Sequence, residues 1–425
     1  MRLLQTGSIG PAVQLLQTAL NRAGYGPLLT DGIFGPAAAA ALMSFQRAFG
    51  LVPDGIAGSL THRRLLPFYT GYLTHRVVRG DSLWRISRFY GADLDAVRLA
   101  NPGVDENNLA VGSVLIVPLP FDVVPTDIDW FSGLVAYCVR GLSARYPFLG
   151  TGEIGKSVMG RPLWSLRLGS GDTSLLYNAS HHANEWITTV LLMYFTEQLC
   201  KALVSGGFFH SVSLPELFGR FTLFLVPAVN PDGIDLVTGE LQGGTFYDSA
   251  LRIARRYPRF SFPGGWKANI RGIDLNLQYP AGWEQAKANK AAQGIVSPAP
   301  ADFVGSSPLA APESRAMYDF TYSVSPSLIE AWHTQGEVIY WKYQDYASPD
   351  ALRIGEYFAS LSGYTLENTP YSSGFAGYKD WFIQDFDRPG YTIEAGRGVN
   401  PLPVSDFDAL YRRCEPVLFG ALTAL

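Results

Sequence analysis

The stretch Leu175-Leu176-Tyr177-Asn178-Ala179-Ser180-His181-His182-Ala183-Asn184-Glu185-Trp186 decides how this chain is read. Ser174 to Asn178 is a short apolar run of strand length, and from Trp186 to Ala202 the apolar spacing becomes that of a helix. The alternation continues downstream. Phe221 to Val226, Ser327 to Trp332 and Gly390 to Glu394 read as strands, and Ala351 to Leu361 and Asp406 to Leu422 as helices. Strands alternating with helices predict an α/β domain over residues 125–425, built on a mixed, mostly parallel sheet covered on both faces.

Ligands of open α/β sheets gather at the carboxyl ends of the strands, so those ends carry the chemistry. His182 and Glu185 stand three residues apart where the quoted strand turns into a helix, and His333 follows the strand ending at Trp332. Only His181, His182, His210 and His333 are available as histidines in this part of the chain, and two of them fall at strand ends. A His, Glu, His set suits zinc. Three protein ligands leave a fourth position for water, whose pKa the ion lowers to about 7.

Upstream, Asp31-Gly32-Ile33-Phe34-Gly35 returns as Asp54-Gly55-Ile56-Ala57-Gly58, each leading into a helical pattern. Val13, Leu15, Leu16 and Leu20 share one helix face, and Ala41, Leu42, Phe45 and Phe49 another, so residues 1–68 are expected to form a small all-α bundle. This pattern resembles the helical peptidoglycan-binding module. Residues 72–119 carry His75-Arg76-Val77-Val78-Arg79-Gly80-Asp81-Ser82-Leu83-Trp84, then Asn101-Pro102 and Val114-Leu115-Ile116-Val117-Pro118. Their order is strand, helix, helix, strand, and they resemble a LysM module, which grips N-acetylglucosamine-containing glycans. Pro118, Pro120 and Pro125 then predict a stiff, extended connector.

Within 125–425 the motifs, in order, resemble the zinc carboxypeptidase family. These are His182-Ala183-Asn184-Glu185-Trp186, Asn230-Pro231-Asp232-Gly233, Gly272-Ile273-Asp274-Leu275-Asn276, His333, Asp380-Trp381 and Tyr391-Thr392-Ile393-Glu394. The resemblance implies that His182, Glu185 and His333 hold one zinc ion, with His181 a packing or hydrogen-bonding neighbour. It implies that Glu394 is the general base, passing a proton from the attacking water to the departing amine. Arg271 is expected to stabilise the oxyanion, with Lys267 the competitor if the alignment is anchored on Trp266. Asp274 would fix the tautomer of the first zinc histidine, and Asn276 and Tyr371 would touch substrate.

One departure is informative. Where the carboxypeptidases have an arginine that grips the terminal carboxylate of the substrate, this chain has Leu277-Gln278 after Asn276. Leucine cannot clamp an anion. Wall-binding modules ahead of such a domain, with Glu394-Ala395-Gly396-Arg397-Gly398-Val399-Asn400-Pro401 at its base, resemble the bacterial γ-D-glutamyl-L-diamino acid endopeptidases, which cut peptidoglycan stem peptides. Arg397 is then expected to read a substrate carboxylate near the cleaved bond. Two other readings stay open, a carboxypeptidase trimming muropeptides and a catalytically silent wall-binding protein. Diaminopimelate and lysine are equally admissible at the cut site.

Composition narrows the partners. Lys+Arg of 33 against Asp+Glu of 37 leaves a net charge of −4, no basic excess for a nucleic acid. The expected partners are glycan strands and stem peptides. The start, Met1 to Gly10, lacks the apolar run of a secretory segment, and no stretch is expected to span a bilayer. Cys138, Cys200 and Cys414 are odd in number and scattered, as buried thiols in a reducing compartment would be. The expected location is the cytoplasm, with sporulation or lysis bringing the protein to the wall.

Overall fold

The computed structural model describes residues 2–371 and 373–425. Packing divides the chain into two units, residues 1–150 and 151–425.

In the first unit, helices Pro11–Arg22, Pro36–Ala48 and Ser59–Thr70 form the expected bundle. The repeated Asp-Gly turns are held by one device used twice. Gln17 Nε2 donates to Asp31 Oδ1 (2.8 Å) and Ile33 O (3.1 Å), while Gly32 N donates back to Gln17 Oε1 (3.0 Å). Gln46 repeats this on Asp54 Oδ1 (2.9 Å), Ile56 O (3.0 Å) and Gly55 N (3.0 Å). Gly32 and Gly55 have φ of 72° and 71°, in the left-handed region where a side chain is strained.

Strands β1 (Tyr72–Arg76) and β2 (Val114–Pro118) pair antiparallel, with helices Leu83–Tyr90 and Leu94–Ala100 between them. Ser82 caps the first of these helices by accepting from Arg85 N (3.2 Å), and Val77, Leu83, Ile86, Val97, Leu115 and Val117 form the core. The connector after Pro118 is not a solvated spacer, because Val123, Val124, Ile128 and Trp130 are buried. Helix Ser132–Arg145, which chain order puts with the third domain, packs in the first unit. Gly141 lets it approach Thr70, where a Cβ would lie 2.1 Å from the Thr70 carbonyl oxygen.

The second unit is the α/β domain. Its strands are β3 (Gly150–Lys156), β4 (Pro162–Gly169), β5 (Thr173–Ala179), a short hairpin of β6 (Phe208–Phe209) and β7 (Val212–Ser213), β8 (Phe221–Val226), β9 (Leu328–His333), β10 (Val338–Tyr340), β11 (Thr365–Glu367) and β12 (Gly390–Glu394). Among the described residues eight of them form one sheet in the order β11-β10-β12-β9-β5-β8-β4-β3. The central run β12-β9-β5-β8 is parallel throughout, and β10–β12 and β4–β8 are antiparallel. Successive side chains point to opposite faces. Thus Leu176 enters a core cluster with Ile329, Met317 and Trp381, while Tyr177 donates to Leu418 O (2.9 Å) in helix Phe407–Ala424. Both faces are covered, as the near-continuous apolar strands require.

One expectation needs correction here. Helix Ile187–Val204 is long and apolar enough to cross a membrane. It packs against β5 with 67% of its length buried inside the protein, which accounts for its apolar composition.

Candidate active site

Because β12, β9, β5 and β8 are parallel neighbours, their carboxyl ends lie along one edge. Glu394 closes β12, His333 closes β9, and the register sets these two residues side by side. The chain leaving β5 at Ala179 turns through Ser180, at φ 55°, into the 3-10 turn Ala183–Glu185. Ser180 N donates to Thr188 Oγ1 (3.1 Å), tying the turn to the helix that follows. The loop after β8 braces it from the other side. Asn230 Nδ2 donates to His181 O (3.2 Å) and Ala268 O (3.0 Å), and Asn230 N donates to Ser180 O (3.1 Å). Gly233 allows this approach, since a Cβ there would sit 2.7 Å from that of Ala183. Asp232 of the same motif turns away to take Arg161 Nη1 (2.6 Å) and Ser157 Oγ (2.8 Å). It is a structural residue.

His182, Glu185 and His333 converge, their ligand atoms all within 4.8 Å of one another. His182 Nδ1 is 3.0 Å from Glu185 Oε1, His333 Nδ1 is 2.8 Å from Glu185 Oε2, and the two Nδ1 atoms are 3.2 Å apart. The outer nitrogen of His182, Nε2, faces Asp274 Oδ1 at 3.2 Å. A proton held there by the carboxylate leaves the Nδ1 lone pair facing inward. Asp274 is itself fixed by Asn276 N and Asp302 N, both at 3.1 Å. Burial opposes a charged His182, but the carboxylates of Glu185 and Asp274 outweigh it and push the imidazole up to about 10. Glu185, against its burial, is held well below the usual carboxylate range by His182, Lys267 and His333. Two imidazole nitrogens and a carboxylate arranged to hold positive charge are the donor set of a zinc site, so the residues present fit the ion.

Two cavities adjoin this cluster, of about 260 and 470 Å³, and Lys267 and Glu394 line both. Burial pushes the Glu394 carboxyl above its ordinary value, against the pull of His333 and Lys267. Lys267 Nζ lies 3.2 Å from Glu185 Oε1, and the charge of that carboxylate raises the ammonium, which therefore stays protonated.

His181 stacks on His333 and shares a 2.9 Å hydrogen bond with Tyr279, and burial keeps it neutral. Asn276 lines the smaller cavity, its Oδ1 accepting from Tyr378 N (2.9 Å), and Leu277 lines it beside Asn276.

Three expected residues lie elsewhere. Arg271 is exposed and lines neither cavity. Asn269 Oδ1 accepts from the amides of Arg271 and Ile273, and Gly272 turns at φ 77°, so the loop points position 271 to solvent. The same loop aims Lys267 inward, with its amide on Pro300 O (2.8 Å) and its carbonyl on Ala183 N (2.9 Å). Arg397 is exposed, and its Nε lies 2.7 Å from Glu337 Oε2, outside the lining of both cavities. Tyr371 is 68% exposed, packs edge-on against Phe375 and lines neither cavity. Sequence reasoning also missed Lys290 and Lys379, which line the smaller cavity. No local pattern marks Lys290, whereas Lys379 directly precedes the Asp380-Trp381 motif, which is the signal that could have found it.

Comparison with known proteins agrees with this geometry. The zinc carboxypeptidase family model matches residues 136–408, and models of a peptidoglycan binding domain and a LysM domain match residues 9–65 and 75–118. The chain is 41% identical to "Gamma-D-glutamyl-L-diamino acid endopeptidase 1" of Lysinibacillus sphaericus, over 67% of this chain and 70% of that protein. It is 40% identical to the uncharacterized protein YqgT of Bacillus subtilis, over 65% of this chain and 73% of that protein. Carboxypeptidase A from Helicoverpa armigera shares the fold at a TM-score of 0.53 and 18% identity, covering 84% of this chain and 98% of that structure. With the His182, Glu185, His333 cluster at the strand ends and the family match over most of the second unit, this chain belongs to the zinc carboxypeptidase family.

Proposed function

We propose that this protein is a zinc endopeptidase that hydrolyses the γ-D-glutamyl to L-diamino acid bond of peptidoglycan stem peptides. The observation that carries the reading is Leu277. The site has the ligands and the base for cutting an amide, while the position that would clamp a chain-terminal carboxylate holds a leucine. The relative named as such an endopeptidase and the two wall-binding modules support the same reading.

His182, Glu185 and His333 would hold zinc, which when bound supplies Lewis acidity to a carbonyl and to water. Glu394, beside His333, takes the proton of the attacking water and delivers it to the leaving amine. Lys267 holds a positive charge where the carbonyl oxygen becomes anionic, a role available to it from either cavity. Asp274 keeps the proton of His182 on Nε2. The first unit tethers the enzyme to glycan strands and raises its local concentration on the wall.

The buried cysteines Cys138, Cys200 and Cys414 suit a reducing compartment, so the protein resides in the cytoplasm until sporulation or lysis gives it access to wall material. Cell fractionation with a tagged chain tests that placement. The activity is tested by mass spectrometry of products from a defined disaccharide tripeptide and tetrapeptide. Release of the fragment ending in D-glutamate is expected. Release of single terminal residues would replace the endopeptidase with a carboxypeptidase.

A further inference from the structure

The loop from Trp266 to Asp274 carries Lys267 near one end and the carboxylate that faces His182 at the other. Asn269, buried in its middle, has all four of its polar atoms bonded. Its amide donates to Ile273 O (2.8 Å), its carbonyl accepts from Gly272 N (2.9 Å) and Trp266 Nε1 (3.1 Å), and its Oδ1 accepts from Arg271 N and Ile273 N, both at 3.1 Å. The remaining atom, Nδ2, donates to Glu313 Oε2 (3.1 Å). An amide side chain can turn over and exchange its oxygen for its nitrogen, which would set a donor against two donors here. The Glu313 acceptor prevents this by holding the nitrogen outward and the oxygen on the loop amides.

Glu313, in the first turn of helix Pro312–Val324, is also buried, and its second oxygen serves a different loop. Oε1 accepts from Val158 N (3.0 Å). Val158 lies in the turn whose Ser157 Oγ and Met159 N donate to Asp232, both at 2.8 Å. Asp232 in turn stands two residues from Asn230, whose Nδ2 donates to Ala268 O (3.0 Å). Both arms of one carboxyl group therefore end beside Lys267, one through Asn269 and one through Ala268. Asp274 has anchors of its own in Asp302 N (3.1 Å) and Phe303 O (2.8 Å). A buried carboxyl is costly unless its oxygens are satisfied, and here both partners come from the loops that shape the site. Glu313 itself lines neither cavity and so meets no substrate.

We propose that Glu313 is a positioning residue that, by tying these two loops together, sets Lys267 where the substrate carbonyl becomes anionic; the inference rests on the role given to Lys267 above. The test uses the full-length, zinc-loaded protein, a soluble muropeptide and a double-mutant cycle. Glu313→Ala should lower kcat by about 10- to 100-fold, the cost of losing a supporting group behind a site. KM should stay within about threefold, because the displaced charge acts only in the transition state. Glu313→Gln keeps the volume and an acceptor for one of the two bonds, so it should lose less than Glu313→Ala. Zinc content should match wild type in both. In a Lys267→Met background the same Glu313 substitution should cost less than about threefold, since nothing is left to position. If Glu313→Ala does not fold, Glu313→Gln runs through the same cycle. Losses that multiply in the double variant, as a purely structural role would give, or a folded Glu313→Ala with wild-type kcat, overturn the assignment and leave the endopeptidase reading intact. Near-wild-type turnover by Lys267→Met removes its oxyanion role and this inference with it. Failure of the wild type to cut the γ-D-glutamyl bond overturns the endopeptidase reading itself.

Discussion

Lys267 and Arg271 compete for one role, and the structure separates them by position. Lys267 lines both cavities with its Nζ 3.2 Å from Glu185 Oε1, while Arg271 is exposed and lines neither. Losing one preorganised donor to a developing oxyanion costs about 10²- to 10³-fold in kcat, roughly 2.7–4 kcal/mol. Lys267→Met should therefore lower kcat by that factor. A surface substitution is worth about 0.5 kcal/mol or less, so Arg271→Met should stay within about threefold of wild type. Zinc separates a catalytic loss from a broken site. Lys267 places a positive charge beside a ligand carboxylate, so removing it lessens competition for Glu185 and the variant should keep its metal. The assay is steady-state cleavage of a soluble muropeptide, with metal content measured on the same preparations. If Arg271→Met lost more than about 100-fold while Lys267→Met stayed near wild type, the assignment of the oxyanion cation from cavity geometry would be refuted.

The other expectations rest on separate observations. Glu394→Gln should cut kcat by about 10²- to 10⁴-fold and leave zinc bound, because Glu394 adjoins His333 without belonging to the ligand cluster; metal analysis beside turnover checks both halves. Asp274→Asn should weaken zinc binding about 10- to 100-fold by losing control of the His182 tautomer, which titration against a competing chelator measures. In the first unit His62 is buried between Tyr69 (3.0 Å) and the Arg2 carbonyl (3.1 Å), and burial lowers its pKa. A lowered folded pKa means stability is complete above the ordinary value near 6.5 and is lost as pH falls below it. The unfolding midpoint of this unit should thus drop between pH 6.5 and 5 in wild type and drop less in His62→Gln, with differential scanning calorimetry as the measurement. An equal drop in both would remove His62 as the cause.

What the sequence determined by itself was local. Strand and helix periods, the Asp-Gly echo, and the contiguous motifs around His182, Asn230, Asp274 and Glu394 are each written within a few residues, where backbone geometry and apolar spacing act directly. The His182 and Glu185 spacing at the end of a strand is legible locally, although Asn230 and the Lys267 carbonyl brace the turn that presents it. A mostly parallel sheet was legible too, since alternation with helices leaves few other ways to cover both sheet faces, whereas the order of its strands came from the structure. The tertiary structure alone decided which cation enters the site, because Lys267 and Arg271 differ only in how a loop turned by Gly272 and pinned by Asn269 aims them. It decided that Arg397 lies on Glu337, a partner 60 positions away with no signature in either segment. It decided as well that Lys290, from a helix outside every motif, and Lys379, beside the Asp380-Trp381 motif, share one cavity wall with Glu394. Motifs record what neighbouring residues do to one another. Which charges meet across a cavity depends on long-range packing, and packing sums many weak contacts that no short stretch of sequence displays.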